Sequence, residues 1–350
     1  MTVLERRADE RSRASWRVLL PSGFRRRPGA APQAPREFGL RQPSPDPELE
    51  GLLGLARWLD DDLAVAIVLS HMTGARIREL FPAGQTDPRI IPCLSGLDLE
   101  ADMADIFAAS AALGRMQEEA DFKAFMSLVR PGAVVVDVGA NFGVYAVHAA
   151  LHAGPEGRIF AFEPCPGAFD LLQSNILRNH MQARSMAIRQ AVGAKEGWAK
   201  FRVAADSAFS GLRDTGRSTT VGNVTVSVCT LDQFEPLTDR TADLIKIDTE
   251  GGEADVLAGA HALLARSPDV TIMFEYSHKN LDEPGRLALI AELELLLASG
   301  LGLFGRGPGG SGLFAVRPDE LVGQRSENLF LVRPGSGAHA ALAAAVGAPQ

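Results

Sequence analysis

The chain has 350 residues, 46% of them hydrophobic and 22% charged, with a formal net charge of -8. That length suits one large domain or a domain with an appendage, and the acidic balance argues against nucleic acid as the main partner, since duplex binders show a basic face. Cys93, Cys165 and Cys229 are far apart with no C-x-x-C pair, so neither a disulfide framework nor a cysteine zinc site is indicated.

The first stretch, residues 1–46, is dominated by arginine and proline and lacks apolar periodicity, the composition of a disordered leader. A basic anchor for an acidic partner is the functional alternative. The apolar segment after the first arginines, Trp16 to Leu20, is short for a signal-peptide core. Arginines and serines favour an organelle transit peptide, while Glu5, Asp9 and Glu10 count against it, so the cytoplasm is the expected compartment. Residues 47–97 read as a small helical appendage. Leu52, Leu53, Leu55, Ala56 and Leu59 predict one helix and Leu63 to Leu80 another, with Asp60, Asp61 and Asp62 placed where a helix N-terminus welcomes negative charge. No apolar run reaches the roughly 20 residues of a membrane span.

The main domain is expected over residues 98–334. A helical pattern runs through 98–129. After Pro131-Gly132 strands and helices alternate: a β-branched strand Val134 to Val138, a helix from about Gly143 to Ala153, a strand Arg158 to Glu163, a helix ending near Asn179, and a strand around Met186 to Val192. Two extra strands, Trp198 to Val203 and Val224 to Cys229, flank a polar stretch. Then come the strand Leu244 to Asp248, a helix from Gly252 to Leu264, the strand Val270 to Tyr276, a helix Leu287 to Leu297, and strands Leu301 to Phe304 and Leu329 to Val332. Gly305 to Gly312 reads as a mobile loop and residues 335–350 as a flexible tail. The alternation implies a mostly parallel sheet covered by helices on both faces.

The most informative segment is Val134-Val-Val-Asp-Val-Gly-Ala-Asn-Phe-Gly143: a buried strand, a glycine turn, then a helix. Ligands of open α/β sheets bind at such a strand end. Gly139 and Gly143 allow close backbone approach, and Asp137 stands at the strand tip. A dinucleotide turn reads G-x-G-x-x-G so that pyrophosphate can rest on the helix N-terminus. Here the spacing differs and an acid precedes Gly139 by two positions. That suits the amino and sulfonium end of S-adenosylmethionine and disfavours an NAD(P)-dependent oxidoreductase. Glu163 closes the second strand, where a carboxylate can accept both ribose hydroxyl protons. A non-catalytic nucleoside-binding module is the other alternative.

These residues resemble the FkbM family of methyltransferases. The resemblance runs from about Val134 to Val332 and rests on V-V-D-V-G-A-N-F-G at 135–143, F-A-F-E-P at 160–164, N-I-L-R-N at 175–179, A-V-G at 191–193, T-L-D-Q-F at 230–234, L-I-K-I-D-T-E-G-G-E at 244–253, V-L-A-G-A at 256–260 and F-E at 274–275. It implies a Rossmann-like class I methyltransferase fold with a seven-stranded sheet whose last strand is antiparallel, S-adenosyl-L-methionine as methyl donor, and O-methylation of a hydroxyl on a small molecule, secondary metabolite or sugar. By the same resemblance Asp137, Gly139, Ala140, Asn141 and Gly143 line the cofactor, Glu163 holds its ribose, and Ala191 and Val192 lie near its adenine.

A hydroxyl acceptor is a poor nucleophile until its proton leaves, and a carboxylate within reach can take it. Asp248, at the end of its strand, is the first candidate base and Glu250 the second. Crowding with Glu253 is expected to raise at least one pKa, relieved by Lys246 on the same strand face. Glu275 and His278 are second-rank candidates, and His148 and His152 read as structural. No histidine pattern points to a metal. Ser207, Ser210, Arg213, Thr215 and Arg217 are candidates for an acceptor pocket or lid.

Overall fold

The structure is a computed structural model that describes residues 88–92, 95–102, 120–205, 207–307, 312–321 and 326–347. The leader over 1–46 and the two helices expected before Pro82 lie outside the described residues.

Described residues open with an antiparallel hairpin, β1 (Pro88–Pro92) and β2 (Asp98–Asp102). The helical reading of 98–129 is therefore corrected in its first part. In D-L-E-A-D, Leu99 and Ala101 are buried while Asp98, Glu100 and Asp102 are not, which is the two-residue period of a half-covered strand. Helix α1 (Ala120–Leu128) follows and buries Phe122, Phe125 and Met126.

The core unit alternates as expected: β3 (Val134–Val138), α2 (Val144–Ala153), β4 (Arg158–Phe162), α3 (Pro166–Arg178) and β5 (Ser185–Ile188). Next come β6 (Ala191–Val192), β7 (Gly197–Ala204) and β8 (Thr220–Cys229). Then follow a short helix α4 (Glu235–Thr238), β9 (Leu244–Ile247), α5 (Glu253–Ala258), α6 (His261–Arg266) and β10 (Thr271–Ser277). The chain closes with α7 (Glu283–Ala298), β11 (Gly302–Arg306), β12 (Leu313–Ala315), β13 (Ser326–Val332) and α8 (Gly337–Gly347).

Among the described residues the main sheet runs β12-β11-β13-β10-β9-β3-β4-β5. Strands β5, β4, β3, β9 and β10 are parallel, and β13 is antiparallel to both β10 and β11. These seven strands are the expected sheet, and β12 adds a short eighth strand at one edge. The chain builds outward from β3 through β4 to β5, then returns to the other side of β3 with β9 and β10. The reversal puts a crevice between the carboxyl ends of β3 and β9, where this class of sheet binds ligands. The expected strand over 186–192 divides: β5 stays in the main sheet, while β6 joins β8 and β7 in a small second sheet.

The helix expected from Gly252 to Leu264 is broken into α5 and α6 at Gly259. A Cβ there would stand 2.1 Å from the Gly193 carbonyl oxygen, so the break lets the helix turn against the second sheet. Helix α7 starts at Asp282, whose side chain accepts a hydrogen bond from the Gly285 amide at 2.9 Å, a standard N-cap. Residues Gly305 and Arg306 of the expected loop continue β11. The hairpin is tied to α3 through Asn175, which accepts from the Glu100 amide at 2.6 Å and donates to the Glu100 carbonyl at 2.8 Å.

The flexible tail over 335–350 is also corrected, for Gly337–Gly347 is helical and packs against α1 and β12. Its alanines favour helix strongly, and Leu342 and Val346, one turn apart, are both buried. Leu342→Ala is expected to cost about 2–5 kcal/mol. Urea unfolding checks this: the midpoint should fall at unchanged slope.

Candidate active site

The carboxyl ends of β3, β4 and β9 meet around a cavity of about 310 Å³. At the β3 tip, Gly139 has a positive φ of 79° and its Cα faces the β9 tip so closely that a Cβ would stand 1.8 Å from the Asp248 carbonyl oxygen. The amides of Gly139 and Ala140 both donate to the Phe162 carbonyl at 3.0 Å, which fixes the turn against β4. Asn141 follows with φ 50°, a left-handed conformation that asparagine tolerates better than most residues. Its side chain accepts from the Phe142 amide and donates to Ser207 Oγ, each at 2.8 Å.

Glu163 ends β4 with 6% exposure. One carboxylate oxygen accepts from the Asn141 amide and the other from the Cys165 amide, both at 2.8 Å. Burial pushes its pKa up to about 7 against the pull of those two amides.

Lys246 projects from β9 with 4% exposure. Its Nζ lies 3.1 Å from Asp248 Oδ2, 3.6 Å from Asp137 Oδ1 and 5.0 Å from the Tyr145 ring centroid. Burial works against the charged ammonium, but Asp248 and Asp137 outweigh it and hold the lysine above its usual range. The expected sharing of one face by Lys246 and Asp248 is therefore seen directly.

Beyond Asp248 the chain turns sharply, with Glu250 at φ 55°. Glu250 is buried, and Arg217 stands 3.1 Å away. Burial, reinforced by Glu275 and Asp248, drives Glu250 up to about 9 despite Arg217. Burial and the same acidic neighbourhood push Glu275 to about 8. Glu253 has a structural part: its carboxylate accepts from the Thr249 amide at 3.1 Å, the Thr249 hydroxyl at 3.0 Å and the Gly251 amide at 3.2 Å. Oxygens of Asp248, Glu250 and Glu275 lie within 4.8 Å of one another, a spacing that also suits an oxygen-ligated cation. Lys246 and Arg217 already balance two of these three acids.

Of the expected site residues, Gly139, Ala140, Asn141, Glu163, Ala191, Val192, Asp248 and Glu250 line the cavity. Asp137 and Gly143 do not. Asp137 is 1% exposed beneath the wall, because its position on β3 turns it toward Lys246, its cross-strand neighbour. Gly143 instead backs onto Leu172 of α3. His148 is buried against the Val144 carbonyl at 2.7 Å, and burial depresses it to about 4. His278 is not on the wall. The wall also includes Tyr145, Gln190, Phe201, Phe209 and Asn328, which sequence reasoning did not single out. Only Gln190 carried a local signal, as the polar residue next to Ala191.

A parallel sheet in this strand order, with a glycine turn on β3 and a carboxylate closing β4, defines a Rossmann-like class I methyltransferase fold. Residues 137–301 match the family described as Methyltransferase FkbM domain. The hexuronic acid methyltransferase AglP of Haloferax volcanii is 26% identical over 163 residues, covering 46% of this chain and 63% of that protein. The 31-O-demethyl-FK506 methyltransferase FkbM of Streptomyces tacrolimicus is 43% identical over 56 residues, covering 16% of this chain and 21% of that protein. The chain thus spans less than two thirds of the length of these curated relatives. A solved SAM-dependent O-methyltransferase from Thermotoga maritima is 14% identical, covers 61% of this chain and 64% of that one, and has a TM-score of 0.34, too slight a likeness to bear on function.

The raised carboxylates give stability a definite pH dependence. Folded Glu250 holds its proton up to about pH 9, while a free glutamate loses it near 4.5, so the native state binds more protons between those limits. Stability from this group is present at low pH and is lost as pH rises through that window. Glu250→Gln, neutral at every pH, should therefore gain thermal stability relative to wild type as pH is raised from 6 to 9. A melting-temperature difference that stays constant across that range would remove Glu250 as the titrating group.

Proposed function

We propose that this chain transfers the methyl group of S-adenosyl-L-methionine to a hydroxyl oxygen on a small molecule, secondary metabolite or sugar. The observation that carries the reading is the meeting of the Gly139 turn, Glu163 and Asp248 around one cavity. The names of the two relatives lend support: one acts on a hexuronic acid and the other on a substrate described by a missing methyl at an oxygen. Cytoplasmic placement stays part of this proposal. Among the described residues no helix is long and apolar enough to cross a membrane.

The residues fit the donor. The Gly139 turn lines the cavity with no side chain of its own in a ligand's way, and each Glu163 oxygen retains a lone pair beyond its amide bond for a ribose hydroxyl. Gly139, Ala140 and Asn141 would face the donor's amino-acid end, while Ala191, Val192, Phe201 and Gln190 would flank its base. When bound, the donor supplies a methyl group already activated on a sulfonium. The protein then contributes alignment and exclusion of water.

On the acceptor side, Asp248 is the proposed base. It lines the cavity, and Lys246 fixes its orientation at 3.1 Å. It would take the hydroxyl proton as the oxygen bonds to the methyl carbon and the carbon–sulfur bond breaks, the electron pair leaving with sulfur as a neutral thioether. Glu250 is the second candidate, and its raised pKa makes it a proton donor or neutral hydrogen-bonding partner at neutral pH. Asp137 acts at one remove, through the charge of Lys246.

Calorimetry with S-adenosylmethionine and S-adenosylhomocysteine tests the donor site. Heat is expected with both ligands, lost in Glu163→Ala and kept in Asp248→Asn. Transfer of labelled methyl to an acceptor from a cell extract should fall about 10²–10⁴-fold in Asp248→Asn. Folded protein giving no heat with either ligand would end the reading.

A further inference from the structure

The cavity's outer wall is built by the crossing between β7 and β8, which contributes Ser207, Phe209, Ser210, Leu212 and Arg217. Leu212 packs on the small apolar cluster around Phe201 and Val226, and a buried guanidinium on β7 ties down the polar remainder. Arg202, 5% exposed, donates to the carbonyls of Phe209, Arg213 (3.5 Å) and Ser218 (3.2 Å) and to Thr220 Oγ1 at 3.4 Å. Asp214, mostly exposed, lies 3.5 Å from its Nε. The backbone adds a reciprocal bridge, Arg202 amide to Gly211 carbonyl at 2.9 Å and Gly211 amide to Arg202 carbonyl at 3.1 Å. One planar fork thus ties both shoulders of the crossing, a task that the point charge of a lysine does not match.

The far end of the crossing lands on the acid cluster. Arg217 donates to Glu250 Oε2 at 3.1 Å and to Asn280 Oδ1 at 2.9 Å, and its guanidinium sits 4.3 Å above the Phe209 ring. Asn280 in turn donates to Glu275 Oε2 at 3.2 Å. Gly211 packs so near the β9 tip that a Cβ would meet the Thr249 carbonyl oxygen at 3.3 Å.

We infer that Arg202 is a positioning residue for the acceptor wall, acting through the crossing to keep Arg217 docked on Glu250 and Asn280. That this wall faces the acceptor rests on the function proposed above. Arg202 touches neither Glu250 nor the donor turn, so its effect must pass through Arg217.

The test uses the full chain with carbon-13-labelled glutamate carboxyls, the Glu250 signal being assigned by its loss in Glu250→Gln. Glu250 faces Glu275, Asp248, Glu253 and Arg217, and Arg217 is the one that lowers its titration. Arg217→Met should therefore shift the Glu250 midpoint upward. Arg202→Met should give a shift of the same size and faster amide exchange across 207–218, and the double variant should shift it no further. A wild-type midpoint in Arg202→Met, or shifts that add in the double variant, would overturn the inference. Should Arg202→Met not fold, Arg202→Lys serves, with an upward shift expected and an unmoved midpoint overturning it. Calorimetry with S-adenosylmethionine runs alongside. Absent heat with the coupling intact sinks the methyltransferase reading alone, and normal heat without the coupling sinks the role of Arg202 alone.

Discussion

Lys246 lies buried between Asp137 on one strand and Asp248 at the tip of the next, with the face of Tyr145 below it. Placing a charge inside a sheet is costly unless it is paired, and removing one member of a buried pair costs about 3–5 kcal/mol because the other is stranded. The parallel register sets Asp137 opposite Lys246, so strand pairing and charge pairing enforce each other. With β3 and β9 locked in this way, the Asp248 carbonyl rests against Gly139, and the glycine turn and the acid cluster share one wall. The rest of the site is arranged around that seam.

Burial raises Asp137 inside the seam, against the pull of Lys246, and it raises the acids outside the seam as well. Glu163 has only amide donors, and Glu250 and Glu275 face each other and Asp248 with Arg217 as the nearby cation. Their carboxyls therefore favour the protonated form, while the Lys246 ammonium is retained. One cavity thus contains a fixed ion pair beside groups able to hold or release a proton near neutrality.

The strands were legible because runs such as Val134 to Val138 and Leu244 to Ile247 are apolar except for Asp137 and Lys246, as a sheet covered by helices on both faces favours. The glycine turn, Glu163 and Asp248 were legible because their spacing places each at a strand end. The burial of Asp137 was not legible: alternation says that it faces away from its neighbours, but not that Lys246 lies against the side it faces. Asn328 and Tyr145 reach the cavity from separate elements, which no local pattern encodes. The terminal helix escaped notice because an alanine-rich run buries only Leu342 and Val346, too few for a periodic stripe. In β2 the alternation was present but short, and the helical pattern of the following residues overrode it.

The crossing over 205–219 springs from a two-stranded ladder that belongs to the small second sheet. Residues can be gained or lost within it without altering the pairing of any strand in the main sheet. The crossing can thus change length without disturbing the main sheet, whereas the Gly139 turn, wedged against the β9 tip, has no room even for a methyl group.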